Sequence, residues 1–199
     1  MAIMATSFTQ LLDRDGDIIF TLEISDNGTS PLARAFSDKF FPIRVSSKKL
    51  CHVSTVLRDM IEQALGGHEG DSPCEVEISG FDFHAFSIVF GILHNNYDDV
   101  PERPNLATIR QVGLVAHYYQ CTEHIKQTAQ RWLYLLEDRP EDIVGLSPTL
   151  VLQEAANWLF IALAFHDEDA FFGATEVLVE HTTSPLETDL PIPKSLIGK

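Results

Sequence analysis

Three carboxylates alternate with other residues near the start of the chain, at Asp13, Asp15 and Asp17. Carboxylates at alternate positions converge on a hard cation in calcium-binding loops. The rest of that pattern is missing, because glycine stands in the fourth place, at Gly16, instead of the sixth, and Ile24 stands where a bidentate glutamate is needed. We therefore interpret the three aspartates as a polar segment that leads into a strand.

A metal-binding candidate combines His117, Cys121 and His124, which are spaced at i, i+4 and i+7. On one continuous helix these side chains would share a face and could ligate zinc with a fourth ligand. Thr122, however, is typical of a helix start and would interrupt that helix. No Cys-x-x-Cys pair supplies the missing ligand. Core packing is the favoured interpretation, and a zinc site or enzyme built on these three residues is the less favoured alternative.

Nucleophilic catalysis has no specific signature in the sequence. Cys51 next to His52, or Cys74 with another histidine, could form a thiolate–base pair, but with eight histidines such pairs arise by chance. No Gly-x-Ser-x-Gly motif is present, and Gly66–Gly70 lacks the following lysine of a phosphate-binding loop. We interpret that glycine-rich segment as a helix stop and surface loop. The sequence predicts no catalytic residues, no metal and no cofactor.

Composition and charge narrow the class of protein. The chain has 199 residues, 45% of them hydrophobic, which is ordinary for a globular protein. With 29 acidic against 14 basic residues the net charge is −15, which opposes binding to a phosphate backbone. Neither a secretory signal nor a membrane-spanning stretch is recognised, and three scattered cysteines favour reduced thiols. We expect an intracellular protein of the cytoplasm or nucleus that binds neither nucleic acid nor membrane.

The first half of the chain predicts a small sheet with helices between its strands. Period-2 alternation of apolar residues predicts three strands, Asp17–Ile24, Phe41–Ser46 and Glu75–Ser79. A turn-rich segment, Ser25–Asp38, follows the first strand. Ser54 is predicted to cap a helix that Gly66 and Gly67 close. The first half is therefore predicted to be a mixed sheet with at least three strands.

The rest of the chain is predicted to be helical. Asp82 is predicted to cap a strongly amphipathic helix, and helices are also predicted around Leu106–Ala116 and after Thr122. Ser147–Pro148 and Asp167 mark the starts of two more helices, the last with Phe171, Thr175, Leu178 and Val179 on its apolar face. The predicted organisation is an N-terminal segment (1–14), a mixed domain (15–137), a helical extension (138–183) and a proline-containing flexible tail (184–199).

The order of elements, together with particular residues, resembles the BTB/POZ domain, especially its filamentous-fungal form. The resemblance covers about Asp15 to Leu136. Four motifs carry it. The opening strand is Asp17–Leu22, and the second strand with its helix pair is Ile43–Leu50 with Ser54–Leu57. The end of the third helix is Gly91–Asn95, and the Ala-x-x-Tyr element is Val115–Cys121. It implies an α+β fold, a small mixed β-sheet flanked by α-helices, with a C-terminal helical extension.

The resemblance implies a non-catalytic protein-interaction module that binds a protein partner or forms a homodimer. Family members commonly self-associate through the first strand and first helices, which implies roles for Asp17, Ile19 and Thr21. Many members recruit a cullin-based ubiquitin ligase, so a substrate adaptor is the alternative function. The partner-binding surface implied for that role contains Leu65, His68, Glu69, His94 and Tyr119.

The sequence departs from the family pattern at several of these positions. Ser46 and Ser47 replace the histidine and the basic residue of many animal members, so the charged pocket of transcription-factor versions would keep only Asp17. Gly67 stands at the glutamate of the cullin-binding element, and His94 replaces a tyrosine in the same surface. The protein partner is therefore left open, whether a second copy, a cullin or another protein.

Overall fold

The computed structural model describes residues 9–23, 40–68, 70, 72–182 and 186–197. The chain divides into two compact units. The first contains Met1–Pro101 and Tyr119–Cys121, and the second contains Glu102–Tyr118 and Thr122–Lys199. The predicted domain boundary at residue 137 falls within the second unit. Three predicted features lie outside the described residues: Ile24, the turn-rich Ser25–Asp38 and Glu69.

A mixed four-stranded sheet forms the centre of the first unit. Its four strands are β1, Gln10–Leu11; β2, Ile18–Glu23; β3, Phe40–Val45; and β4, Cys74–Ile78. Their spatial order is β1, β3, β2, β4. Strand β2 pairs antiparallel with β3 and parallel with β4, and β1 pairs parallel with β3. The predicted α+β class with a small mixed sheet is confirmed.

The alternation of apolar residues in β2 explains its position in the core. Ile18, Phe20 and Leu22 are at most 1% exposed, whereas Ile19 and Thr21 on the other face are half-buried. The same alternation places every second residue of β3 and β4 on the buried face. Because side chains alternate strictly in a strand, a shift of one residue would expose this whole set.

Three helices complete the first unit: α1, Ser47–Val53; α2, Thr55–Leu65; and α3, Phe83–Leu93. The two predicted caps are confirmed, because Ser54 Oγ accepts a hydrogen bond from the Leu57 N–H at 3.0 Å and Asp82 Oδ1 accepts one from the Ala85 N–H at 2.8 Å. The predicted strong amphipathicity of α3 is wrong. Every residue from Ala85 to Leu93 is buried, since this stretch is apolar on all sides except for Ser87.

The second unit is helical in the residues that the structure describes. Its α-helices are α4, Leu106–Tyr118; α5, Thr122–Leu135; α6, Pro148–Phe165; α7, Glu168–His181; and α8, Lys194–Ile197, with a 3₁₀ helix at Pro140–Gly145. Thr122 is the first residue of α5, close to its predicted role as a cap. Ile192, in the segment predicted to be a tail, is buried.

Helix α6 forms the core of the second unit. It begins with Pro148 in its first turn and is buried continuously from Ala155 to Ala162. Helix α4 approaches it closely, since a Cβ added at Gly113 would lie 3.1 Å from Cε1 of Phe160. Asp167 caps α7 by accepting a hydrogen bond from the Ala170 N–H at 2.8 Å.

The predicted apolar face of α7 is partly wrong. Val179 is 76% exposed, and Phe171 and Thr175 are only half-buried. Leu178 is buried as predicted, together with Ala170, Ala174 and Val177. Apart from Leu178, the buried residues of this helix are therefore ones that the predicted face did not include.

Among the described residues, α6 is the one helix long and apolar enough to cross a membrane by length and composition. The core helix of a soluble protein passes the same test. Because α6 is largely buried, this observation is weak evidence for a membrane span.

Candidate functional site

The three N-terminal aspartates do not converge on a common point. Asp17 accepts two hydrogen bonds from Ser47, at 2.8 Å from the backbone N–H and 2.5 Å from the hydroxyl. Asp13 instead pairs with Lys49 at 3.0 Å, and its other oxygen accepts the Asp15 N–H at 3.1 Å. Within the described part of the chain, no three metal-ligating side chains lie close enough to hold an ion.

Asp17 interacts with the start of α1. Burial opposes its ionisation, but the two hydrogen bonds from Ser47 hold the pKa of the Asp17 carboxyl below its ordinary value. Ser47 stands where the BTB/POZ resemblance would place a basic residue, and here its hydroxyl and backbone amide bind the Asp17 carboxylate. The carboxylate therefore has a local structural role, which is to cap α1 from a neighbouring segment.

The cysteine and histidine candidates are not arranged for chemistry. Gln120 adopts a left-handed conformation, with φ of 52°, so His117 and His124 lie on two separate helices and both are exposed. Burial raises the pKa of the Cys121 thiol to about 12, and burial also raises the pKa of Cys51. Reactive cysteines need the opposite shift, because the thiolate is the nucleophile.

Ile19 and Thr21, the predicted self-association residues, lie on a strand whose two edges are both paired. Strand β2 has β3 on one side and β4 on the other. A partner strand could not join β2 without breaking one of these ladders. The side chains of Ile19 and Thr21 are half-buried, so they offer contact area on the face of the sheet.

Leu65 and His68 lie at the surface where α2 ends. Leu65 is the last residue of α2 and is 38% exposed. His68 follows the Gly66–Gly67 turn, and its Nε2 lies 2.8 Å from the carbonyl oxygen of Ser72, which closes the loop. These two residues of the predicted partner-binding set are therefore available at one end of the helix.

The prediction that His94 contacts a partner is wrong. Its side chain is buried, with 4% of its surface exposed. Nε2 accepts the Ser46 N–H at 3.0 Å, so Nδ1 carries the proton and donates to the Phe90 carbonyl at 2.8 Å. Burial lowers the pKa of His94, although the hydrogen bond to the Phe90 carbonyl opposes that shift. His94 fixes the end of α3 to the end of β3.

The same correction applies to Tyr119, which is only 2% exposed. Its ring lies 6.0 Å from the rings of both Phe86 and Phe90 and 5.6 Å from that of Phe81. Its carbonyl accepts a hydrogen bond from the buried Ser54 hydroxyl at 2.5 Å. Tyr119 therefore belongs to the aromatic core of the first unit and is unavailable to a partner.

Two exposed apolar side chains at the sheet were not predicted from the sequence. Leu11 in β1 is 51% exposed and Phe40 at the start of β3 is 47% exposed. No signal marked Leu11, because a two-residue strand is too short to show periodicity. Together with Leu65, these side chains are the candidate contact residues of the first unit.

No protein-family model matches the sequence, and no curated protein matches it. The family resemblance therefore rests on the quoted residues and on the order of elements.

Proposed function

We propose that the protein is a non-catalytic protein-interaction module of the BTB/POZ type that binds a second copy of itself or another protein. The observation that carries the proposal is the central strand β2, which lies between antiparallel β3 and parallel β4, with the α1–α2 helix pair between the last two strands in the chain. This order agrees with the one expected from the resemblance.

Exposed apolar side chains support a role in binding. Leu11 and Phe40 lie on β1 and β3, which are neighbouring strands at one side of the sheet. In the described part of the chain, β1 pairs with β3 alone. An edge strand of this kind can add a strand from another chain through its backbone. We infer that self-association takes place at β1 and not at β2.

Light scattering across a range of protein concentrations tests self-association. We expect a concentration-dependent dimer that Leu11→Lys or Phe40→Lys weakens by at least about tenfold, since a charge at an apolar contact costs more than 1.4 kcal/mol. Tyr97→Lys is the matched control, because Tyr97 is 53% exposed but lies in the loop after α3. A monomer at every concentration up to about 100 μM would exclude self-association as the function.

The exposure of Leu65 favours a second candidate, a substrate adaptor of a cullin-based ubiquitin ligase. Leu65 presents an apolar side chain where α2 ends. Calorimetry with a cullin N-terminal domain tests this function, with Leu65→Asp as the disrupting variant and Tyr97→Asp as the control. Micromolar binding that Leu65→Asp alone weakens would support it. No binding near 100 μM would exclude any affinity better than about −5.5 kcal/mol.

A further inference from the structure

The second unit contains a cavity with a volume of about 570 Å³, bordered by α5, the 3₁₀ helix, α6 and α7. This volume lies within the range of natural ligand pockets. The 3₁₀ helix comes close to α7 here, because a Cβ added at Gly173 would lie 3.0 Å from Oε2 of Glu141. The Glu141 carboxylate is therefore held beside the middle of α7.

The cavity wall carries more negative than positive charge. Glu141, Asp169 and Glu176 line it, and Arg139 is the cation among its lining residues. The Arg139 guanidinium is directed to the end of α5, where Nη1 donates to the Leu136 carbonyl at 2.7 Å. No ion pair within the described residues joins Arg139 to a carboxylate of the cavity. The three carboxylates are therefore left to attract a cation.

The N-terminus of α7 does not reverse the preference of the cavity for a cation. A helix N-terminus carries a partial positive charge that favours an anion. Asp167, which also lines the cavity, already supplies that anion and accepts the Ala170 N–H at 2.8 Å. A bound anion would have to approach Asp167 and Asp169 as well, which is unfavourable.

Aromatic side chains line the same cavity. Tyr134 and Phe172 are 82% and 68% exposed, which is unusual for large aromatic residues. Trp158, in contrast, is 2% exposed, and its indole N–H has no hydrogen-bond partner in the described structure. A cation over an aromatic face is stabilised by the ring quadrupole. Rings and carboxylates together are suited to a flat, delocalised cation.

We propose that this cavity binds an arginine-bearing peptide segment of a partner protein, with the guanidinium between Tyr134 and Phe172 and the carboxylates of Glu141 and Glu176. A guanidinium stacks on aromatic rings and pairs with carboxylates through its planar edge. The cavity, at about 570 Å³, is larger than one guanidinium and has room for the neighbouring residues of a peptide. The inference goes beyond the function proposed for the first unit and does not depend on it.

Fluorescence titration of the full chain with the peptide acetyl-Gly-Arg-Gly-amide tests the proposal. The chain has two tryptophans, so Trp132→Phe leaves Trp158 as the reporter in the cavity wall. We expect saturable binding with Kd at or below about 1 mM. Glu176→Gln is expected to weaken binding about tenfold, as is Phe172→Ala. Both residues are exposed, and circular dichroism checks that the variants fold.

Glu180→Gln is the matched control, since it removes the same charge from α7 at an exposed position outside the cavity. It is expected to change Kd by less than about twofold. Three results would overturn the proposal: no saturable binding up to about 10 mM, equal weakening by Glu176→Gln and Glu180→Gln, or binding of N-ethylguanidine, a singly charged guanidinium without the peptide, as tight as that of the peptide. Light scattering on the same sample reports self-association separately, so failure of one proposal does not obscure the other.

Discussion

The two units of the chain are stabilised by different kinds of contact. In the first unit, hydrogen bonds join segments that are far apart in sequence, such as Ser54 to Tyr119, His94 to Ser46 and Asp17 to Ser47. In the second unit, α6 buries a continuous run of mostly apolar side chains, and Gln130 to Phe165 is a comparable long-range polar contact.

This difference indicates what each unit tolerates. A buried hydrogen bond needs both partners, so the loss of one leaves a desolvated group unsatisfied. The stability of an apolar helix core depends on how well side chains fill its volume. Truncation of a side chain therefore lowers the free energy of unfolding by an amount that grows with the cavity created. We therefore expect the first unit to respond to pH and to isosteric changes of polar residues, and the second unit to respond to truncation of large side chains.

Phe160→Ala in α6 is expected to have the largest effect. Phe160 is 1% exposed and packs against α4 at Gly113, so truncation leaves a cavity that the helices cannot readily fill. We expect a loss of about 3–5 kcal/mol in the free energy of unfolding. Denaturant unfolding followed by tryptophan fluorescence measures it, because Trp132 and Trp158 both lie in the second unit.

Leu150→Ala is the control for that substitution. Leu150 lies on the same helix but is 46% exposed, so we expect a change of less than about 0.5 kcal/mol. Equal losses for the two variants would show that the burial of Phe160 does not set the stability of α6.

Much of the fold could be predicted from local sequence signals. The alternation in β2 and the capping residues Ser54 and Asp82 depend on near neighbours in the chain, and the structure confirms them. Strand β1 could not be predicted, because two residues form a strand only through their pairing with β3. The burial of α3 on all sides likewise depends on distant segments.

The candidate site was less predictable. The sequence alone does not distinguish a polar or aromatic residue that faces solvent from one that faces the core. His94 and Tyr119 were therefore assigned to a surface, although both are buried. Only their long-range partners, Ser46 and Ser54, distinguish the two cases. Leu65 was assigned to a partner-binding surface from the family resemblance, and it is 38% exposed at the end of α2.

Ser54→Ala tests the polar network of the first unit. The Ser54 hydroxyl is 3% exposed, accepts the Leu57 N–H and donates to the Tyr119 carbonyl. Its removal deletes a helix cap and leaves a buried carbonyl without this donor, so we expect a loss of about 2 kcal/mol in the free energy of unfolding. Circular dichroism during denaturant unfolding measures the loss.

Thr55→Ala is the control, because the neighbouring Thr55 hydroxyl is exposed and forms only a long 3.5 Å contact with Gln120. It should cost less than about 0.5 kcal/mol. If Ser54→Ala cost no more than Thr55→Ala, the first unit would not depend on this buried hydrogen bond.

Protonation of His94 is expected to have the smallest effect on the free energy of unfolding, and this effect depends on pH. Burial lowers its pKa in the folded chain, so the unfolded chain binds the proton more readily and protonation favours unfolding. The stability contributed by neutral His94 is fully present above the ordinary histidine pKa of 6.5 and is lost as the pH falls through the lower folded value. Because protonated Nε2 cannot accept the Ser46 N–H, we expect a loss of about 1 kcal/mol.

Thermal unfolding between pH 7.5 and pH 5 measures this loss. This pH range lies above the ordinary aspartate pKa of 3.8, and so above the lowered pKa values of Asp13 and Asp17. His94→Gln should be less stable than the wild type at pH 7.5 but should lose less stability on acidification. His84→Gln, at an exposed position, should retain the pH dependence of the wild type. If His94→Gln kept the full pH dependence, another group would be the one that titrates. The polar contact between His94 and Ser46 would then be no more sensitive to pH than the apolar core of the second unit.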